Sequence, residues 1–421
     1  MVKKTKLPVR LKNIFKTLGP GLVTGASDDD PSGIATYSQA GAQFGLATLW
    51  TALITFPLMA AMQEMCARIG LVTQKGLTST IKDHYPKWVL WVMVGVSFPA
   101  ITLNIGADIA GMGAAANLLV PAIPAFAFSI LFTIAILLAV IFYSYRKLAA
   151  ILKWTCIVLL VYILVPFSTT INWLAVIKAA VVPTIQFNKA YVAILVGILG
   201  TTISPYLFFW QTTMEAEDIK QNSKTLIINK KIIRDMRKDV DVGMLFSNLV
   251  MFFIILTCGS VLYTHGQRDI NTVEQAATAL KPIAGNLAYL LFSVGIIGTG
   301  FLAIPVLSGS LSYMFAEAFN WDEGLDKKFF EARPFYSVVI ISLIVGLSLN
   351  FIGISPIQGL IYSAVLYGLT SPIIIFIVLH ISNNKTIMGT NTNSLTANIL
   401  GGLSFLLMIV AAVTLVYMQF K

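Results

Sequence analysis

The chain has 421 residues, of which 57% are hydrophobic and only 11% charged, with a mean hydropathy of +0.81. That leaves too little polar surface to coat a water-soluble globule, so a soluble enzyme or binding domain is excluded and an integral membrane protein is expected. The net charge of +10 would suit nucleic acid, but the basic residues are placed as orienting charges on one side of a membrane.

A helical span needs about 20 mostly apolar residues. Eleven stretches meet that requirement: 19–44, 45–72, 88–120, 124–145, 150–168, 190–214, 241–263, 285–313, 335–353, 355–380 and 395–419. Their apolar runs are continuous rather than alternating, which selects helices over a barrel. The piece INWLAVIKAAVVP (171–183) is short and interrupted by Lys178, so it is expected at the interface. With the N-terminus in the cytoplasm, every Lys and Arg except Lys178, Lys189, Arg268, Lys281 and Lys421 falls on a cytoplasmic segment. Those segments include the basic stretch 1–18 and the loop after the sixth span, with Lys220, Lys224, Lys230, Lys231, Arg234, Arg237 and Lys238. This positive-inside bias predicts a multi-pass plasma-membrane protein, with the 214–241 loop lying near anionic lipid as a short surface helix. The basic N-terminus runs into the first span with no small-residue cleavage site, so no cleaved signal is expected. Cys66, Cys156 and Cys258 lie in spans without paired spacing, which predicts neither disulfides nor a thiolate metal site. His84, His265 and His380 fall at loop or helix-end positions, leaving no histidine at mid-membrane.

Within the first span, residues 27–33 read SDDDPSG. An ionised side chain at a helix centre costs about 2.5–3.5 kcal/mol on insertion scales, so Asp28, Asp29 and Asp30 cannot all face lipid. The following Pro31-Ser32-Gly33 removes a backbone donor and breaks the helix near mid-bilayer. Carboxylates, freed carbonyls and the negative end of a half helix together attract a cation. A second break is expected in the sixth span at GTTISPYLFFWQ, around Pro205. The two lie five spans apart, in the first and the sixth, so each opens a block of five helices and the second block is inverted; matching interrupted helices mark a transporter site.

The stretch GPGLVTGASDDDPSGIATYSQAGAQFG resembles the first span of the Nramp divalent-metal transporters, where the motif is Asp-Pro-Gly-Asn. QEMCARIGLVTQKGL (63–77) is similar to their second helix and loop, and LGTTISPY (199–206) stands in place of their Met-Pro-His motif. The resemblance implies an all-α, LeuT-type inverted repeat, with blocks 19–168 and 190–380 joined by an extracellular connection 169–189, helix 395–419 added and 1–18 cytoplasmic. By family position Asp30 is the central metal ligand, the asparagine falls on Gly33, the methionine on Ser204, the histidine on Tyr206, a third-helix glutamate on Gly111, and a tenth-helix glutamine on Thr370. Asp30, the carbonyls of Ser27 and Thr201, Gly33 and Ser204 form the implied metal set. Asp28, Asp29, Asp108, Tyr206 and Thr370 are the implied access or gating residues.

Thioether sulfur favours softer metals, whereas carboxylate, carbonyl and water suit Mg²⁺, Ca²⁺ and Mn²⁺, so replacing methionine by Ser204 hardens the site. A roomy oxygen site with one central carboxylate fits partly hydrated Mg²⁺, as in the divergent Nramp-related magnesium transporters. Because neighbours on a helix do not share a face, Asp28 and Asp29 are not both expected beside Asp30, and one is expected to line an access vestibule. Asp108, four residues after Asn104, is a relay or supporting acid; Glu64 and Arg68 are an i,i+4 ion pair. With Tyr206 and Gly111 in place of the family's proton route, uncoupled entry is expected: a dication moving inward at 100 mV gains about 4.6 kcal/mol, twice the roughly 2.3 per charge. Proton-coupled Mn²⁺/Fe²⁺ transport and organic-solute symport on the same fold are the alternatives. GADIAGMGAAA (106–116) and GIIGTG (295–300) are expected at close helix contacts. No phosphate loop or Ser/His/Asp set occurs, so the expectation is a monomeric transporter with no enzymatic activity and no cofactor, its metal being substrate.

Overall fold

A computed structural model describes residues 19–143, 155–221 and 230–420. It is all-helical, with no strand among the described residues. The principal helices are α1 (Pro20–Asp28), α2 (Pro31–Phe44), α3 (Trp50–Thr73), α4 (Leu77–His84), α5 (Lys87–Leu119), α6 (Ala125–Phe142), α7 (Val161–Ser168), α8 (Trp173–Val181), α9 (Lys189–Thr202), α10 (Pro205–Gln221), α11 (Lys230–Val261), α12 (Ala288–Phe319), α13 (Arg333–Leu349), α14 (Pro356–Asn383) and α15 (Leu395–Gln419). Each stretch expected to span lies on one of these helices or on a pair of them. The basic segment 1–18, loop residues 222–229 and the first residues of the 150–168 stretch lie outside the described part.

Seven helices among the described residues are long and apolar enough to cross a bilayer. The first expected span is divided by its break, and α13 has 17 residues. The 24 residues of α3 include Gln63, Glu64 and Arg68, which lower its hydropathy. One expectation is corrected: residues 230–241 are the first turns of the 32-residue helix α11, so this part of the loop continues a core helix. On α8 only Val176 and Ala180 are buried, while Trp173, Leu174, Ile177 and Val181 are exposed, the profile of a helix lying on the bundle surface.

Helix starts are written locally. Asn188, Ser355 and Ser394 accept from backbone amides three residues on, satisfying donors that the first turn of a helix leaves free. In the interior, α5 packs along α12, α13 and α14, while α1 and α2 pack against α11, and α9 against α14. Small residues permit these approaches. A Cβ on Gly106 of α5 would lie 2.5 Å from the Gly346 carbonyl oxygen of α13, so both backbones run nearly in contact. In α12, a Cβ at Gly300 would overlap the Met112 sulfur. Cys66 and Cys258 are free and buried.

Near the Glu64 end of the bundle, Arg68 is bidentate on Glu64 at 3.1 and 3.2 Å and donates to the Asn391 carbonyl at 2.6 Å and Asn393 Oδ1 at 2.5 Å. Arg237 of α11 adds a third contact to Glu64 at 3.2 Å. The local ion pair of the sequence is therefore a joint between α3, α11 and the connection into α15.

Candidate metal site

The two breaks share one construction. Pro31 and Pro205 each open the second half helix, the position where a missing amide proton is harmless and the fixed φ is favourable. The residues that close the first halves, Asp29 (φ −82°, ψ 52°) and Ile203 (φ −113°, ψ 57°), leave the helix in closely similar conformations. The halves meet at Gly33, where a Cβ would stand 3.1 Å from Thr201 Oγ1.

Asp30 is the N-cap of α2, and its Oδ1 accepts from the Gly33 amide at 2.7 Å. Its Oδ2 accepts from Asn104 Nδ2 of α5 at 2.8 Å. Asp30 is 2% exposed, and Asp28 and Asp29 are 0% exposed. The expected carbonyls are nearby but already engaged: Ser27 accepts from the Tyr206 hydroxyl at 3.0 Å, and Thr201 accepts from the Ser204 hydroxyl at 2.5 Å. A carbonyl oxygen has two lone pairs, so each keeps one for a further partner. Tyr206 thus bridges the two breaks directly, and its ring lies 5.7 Å from that of Tyr367.

Asp28 and Asp29 turn away from Asp30 toward α11, where the Ser247 hydroxyl lies 2.6 Å from Asp28 Oδ2 and 3.2 Å from Asp29 Oδ1. The helix-face rule fails for this pair because α1 ends at Asp28; the unwound Asp29 is free to turn to the same side. Both are sealed, so neither lines an open vestibule in this conformation. Asp108 is 0% exposed, close to Asp30, and neither of its oxygens meets a side-chain donor. At Gly111 a Cβ would stand 3.1 Å from Leu360 Cδ1, so Leu360 occupies the space a glutamate would need. Thr370 does not join the group: its hydroxyl returns to Leu366 and Tyr367 carbonyls of its own helix, at 3.0 and 3.2 Å. Its helix instead contributes Ser363, which reaches Asn104 Oδ1 at 2.7 Å, and Tyr367.

Asn104, Ser247 and Ser363 were absent from the expected site. Their only sequence signal is a polar residue in an apolar span, shared with many serines that bond their own helix. Among the described residues, no three His, Cys, Asp or Glu side chains converge as a metal cage. The arrangement is the Asp30 carboxylate held by two nitrogen donors, with the Asp108 carboxylate close by and backbone and hydroxyl oxygens around them. Carboxylate, carbonyl and hydroxyl oxygens are ligand types that hard divalent cations take.

A family model described as natural resistance-associated macrophage protein-like (Nramp) matches residues 21–418. The divalent metal cation transporter MntH of Yersinia pestis is 23% identical over 414 residues, covering 97% of this chain and 96% of the relative. MntH of Listeria monocytogenes is 26% identical over 301 residues, a match spanning 69% of this chain and 65% of the relative. Among solved structures, the Eremococcus coleocola manganese transporter in complex with an aromatic bis-isothiourea substituted compound has a TM-score of 0.76 at 18% identity, covering 100% of this chain and 91% of that one. MhsT in complex with L-phenylalanine has a TM-score of 0.59 at 15% identity, covering 96% and 98%. These likenesses establish the LeuT-type fold. The chain therefore belongs to the Nramp family.

Proposed function

We propose that this protein transports a divalent metal cation by alternating access, binding it partly hydrated at Asp30 where the two interrupted helices meet. The observation that carries the reading is Asp30 itself: a buried carboxylate at the break, with a hydroxyl residue, Ser204, at the family's methionine position. Oxygen surroundings favour Mg²⁺ with Mn²⁺ second, and the carbonyls of Ser27 and Thr201 complete the set with the lone pair that each keeps beside its hydroxyl partner. Gly33 lets the two interrupted helices meet, while Tyr206 gates the junction. We also infer a monomer in the plasma membrane with a cytoplasmic N-terminus, supported by the Lys and Arg bias, and repeat blocks at 19–168 and 190–380.

Transport is taken to be uncoupled from protons, supported by Tyr206 and by Leu360 filling the space beside Gly111. A second reading, proton-coupled Mn²⁺/Fe²⁺ transport, is favoured by the buried acids Asp28, Asp29 and Asp108 and by the manganese transporter among the structural neighbours. Proteoliposomes containing a pH dye separate them. Saturable Mg²⁺ uptake without acidification, lost in Asp30→Ala and shifted toward Mn²⁺ in Ser204→Met, is the expected result. Acidification in step with metal entry would favour the second reading, and uptake that survives Asp30→Ala would remove the site.

A further inference from the structure

Asp30 lies in a two-residue linker, outside both α1 and α2, so helical hydrogen bonding alone does not hold its carboxylate. Its outer restraint comes from elsewhere in the fold. Asn104 Nδ2 donates to Asp30 Oδ2 at 2.8 Å, and the Ser363 hydroxyl of α14 lies 2.7 Å from Asn104 Oδ1. Ser32 donates to the Leu360 carbonyl at 2.9 Å and stands 3.1 Å from Ser363, whose own hydroxyl lies 2.8 Å from that same carbonyl. Asn104, Ser363 and Ser32 are all 0% exposed.

The chemistry of this chain has one direction. An ionised carboxylate only accepts, so the amide must present Nδ2 to Asp30; its oxygen then requires a donor, and the Ser363 hydroxyl at 2.7 Å supplies it when its proton points to Asn104 rather than to the Leu360 carbonyl. Asn104 sits in mid-helix on α5, the element packed along α12, α13 and α14. The linker acid is thereby tied to two long helices that belong to neither break.

We propose that Asn104 and Ser363 are a positioning pair: they fix the Asp30 carboxylate in one orientation and so set how tightly the dication binds. The inference rests on Asp30 being the ion's ligand. Neither residue touches the ion; each acts through Asp30. Partners of this kind alter metal affinity by about 10–100-fold when removed, because the ligand must be ordered at each binding event.

The test is initial-rate Mg²⁺ and Mn²⁺ uptake into proteoliposomes by the wild type, Asp30→Ala, Asn104→Leu and Ser363→Ala, with thermal unfolding followed with and without Mg²⁺. Asn104→Leu is expected to raise KM about 10–100-fold at a near-wild-type maximum rate, and Ser363→Ala to raise it less. Without metal, Ser363→Ala should unfold near the wild-type temperature and Asn104→Leu below it, and both should gain less from added Mg²⁺. Ser363→Ala removes a single oxygen and decides the matter alone should Asn104→Leu not accumulate. Wild-type KM in the variants, or a lower maximum rate at unchanged KM, overturns the pair. Wild-type uptake that is lost in Asp30→Ala but unaltered in the pair variants overturns the pair alone. No saturable uptake by the wild type overturns the reading of Asp30 and the pair with it.

Discussion

Gly33 is where the two interrupted helices touch, and the contact makes a quantitative prediction. A Cβ there would stand 3.1 Å from Thr201 Oγ1 and 3.4 Å from both the Asp28 carbonyl oxygen and Tyr37 Cε2. Only the Thr201 contact is tighter than ordinary van der Waals packing, and Thr201 is 2% exposed, with little room to retreat. Alanine gains up to about 1 kcal/mol of helix propensity over glycine, whereas overpacking costs about 1–3 kcal/mol. Gly33→Ala should therefore destabilise the wild type by about 1 kcal/mol, yet stabilise Thr201→Ala by up to about 1 kcal/mol. The coupling of roughly 2 kcal/mol is read from denaturant unfolding of the four proteins in detergent, as a double-mutant cycle. A coupling below about 0.5 kcal/mol, the usual scatter between independent sites, would refute the junction as described. The same contact means that an asparagine at position 33, where the family motif has one, is accommodated only after Thr201 is shortened.

Three further substitutions probe other joints of the bundle. Glu64→Gln leaves the buried Arg68 guanidinium without its anion and should lose about 3–5 kcal/mol, while Arg237→Ala, with a side chain 52% exposed, should lose under about 1 kcal/mol; equal losses on unfolding would contradict the burial argument. Gly25→Ala places a methyl group on the Gly243 backbone of α11. Because the obstructing atoms are main chain, a loss of about 3 kcal/mol or more is expected; a wild-type unfolding temperature would refute the contact.

Positions of helices were readable because each depends on a local quantity. A run of apolar residues, a proline at a half-helix start or an asparagine or serine at a cap acts within a few residues. The Asp30-Pro31 and Ser204-Pro205 steps carried enough local information to locate both breaks. The 230–241 segment misled because its charges mark polarity, and polarity does not distinguish a loop from the solvated first turns of a long helix. At the site, the ends of the breaks were legible but the partners facing them were not. Nothing near Asp30 in the chain names Asn104, and nothing in the periodicity of the tenth span prefers Ser363 over Thr370.

By itself, then, the sequence determined the solvent, the helical elements, the two interruptions and the acid placed at the first. Each follows from chain-local hydropathy or backbone chemistry, which no later packing can reverse. The tertiary structure decided which donor from another helix faces that acid, that Asp28 and Asp29 share Ser247 on the other side, and that Tyr206 spans the two breaks. These are contacts between residues 74 to 259 positions apart, set by helix rotation and crossing. A difference of one residue in either would hand the same bond to a neighbouring side chain.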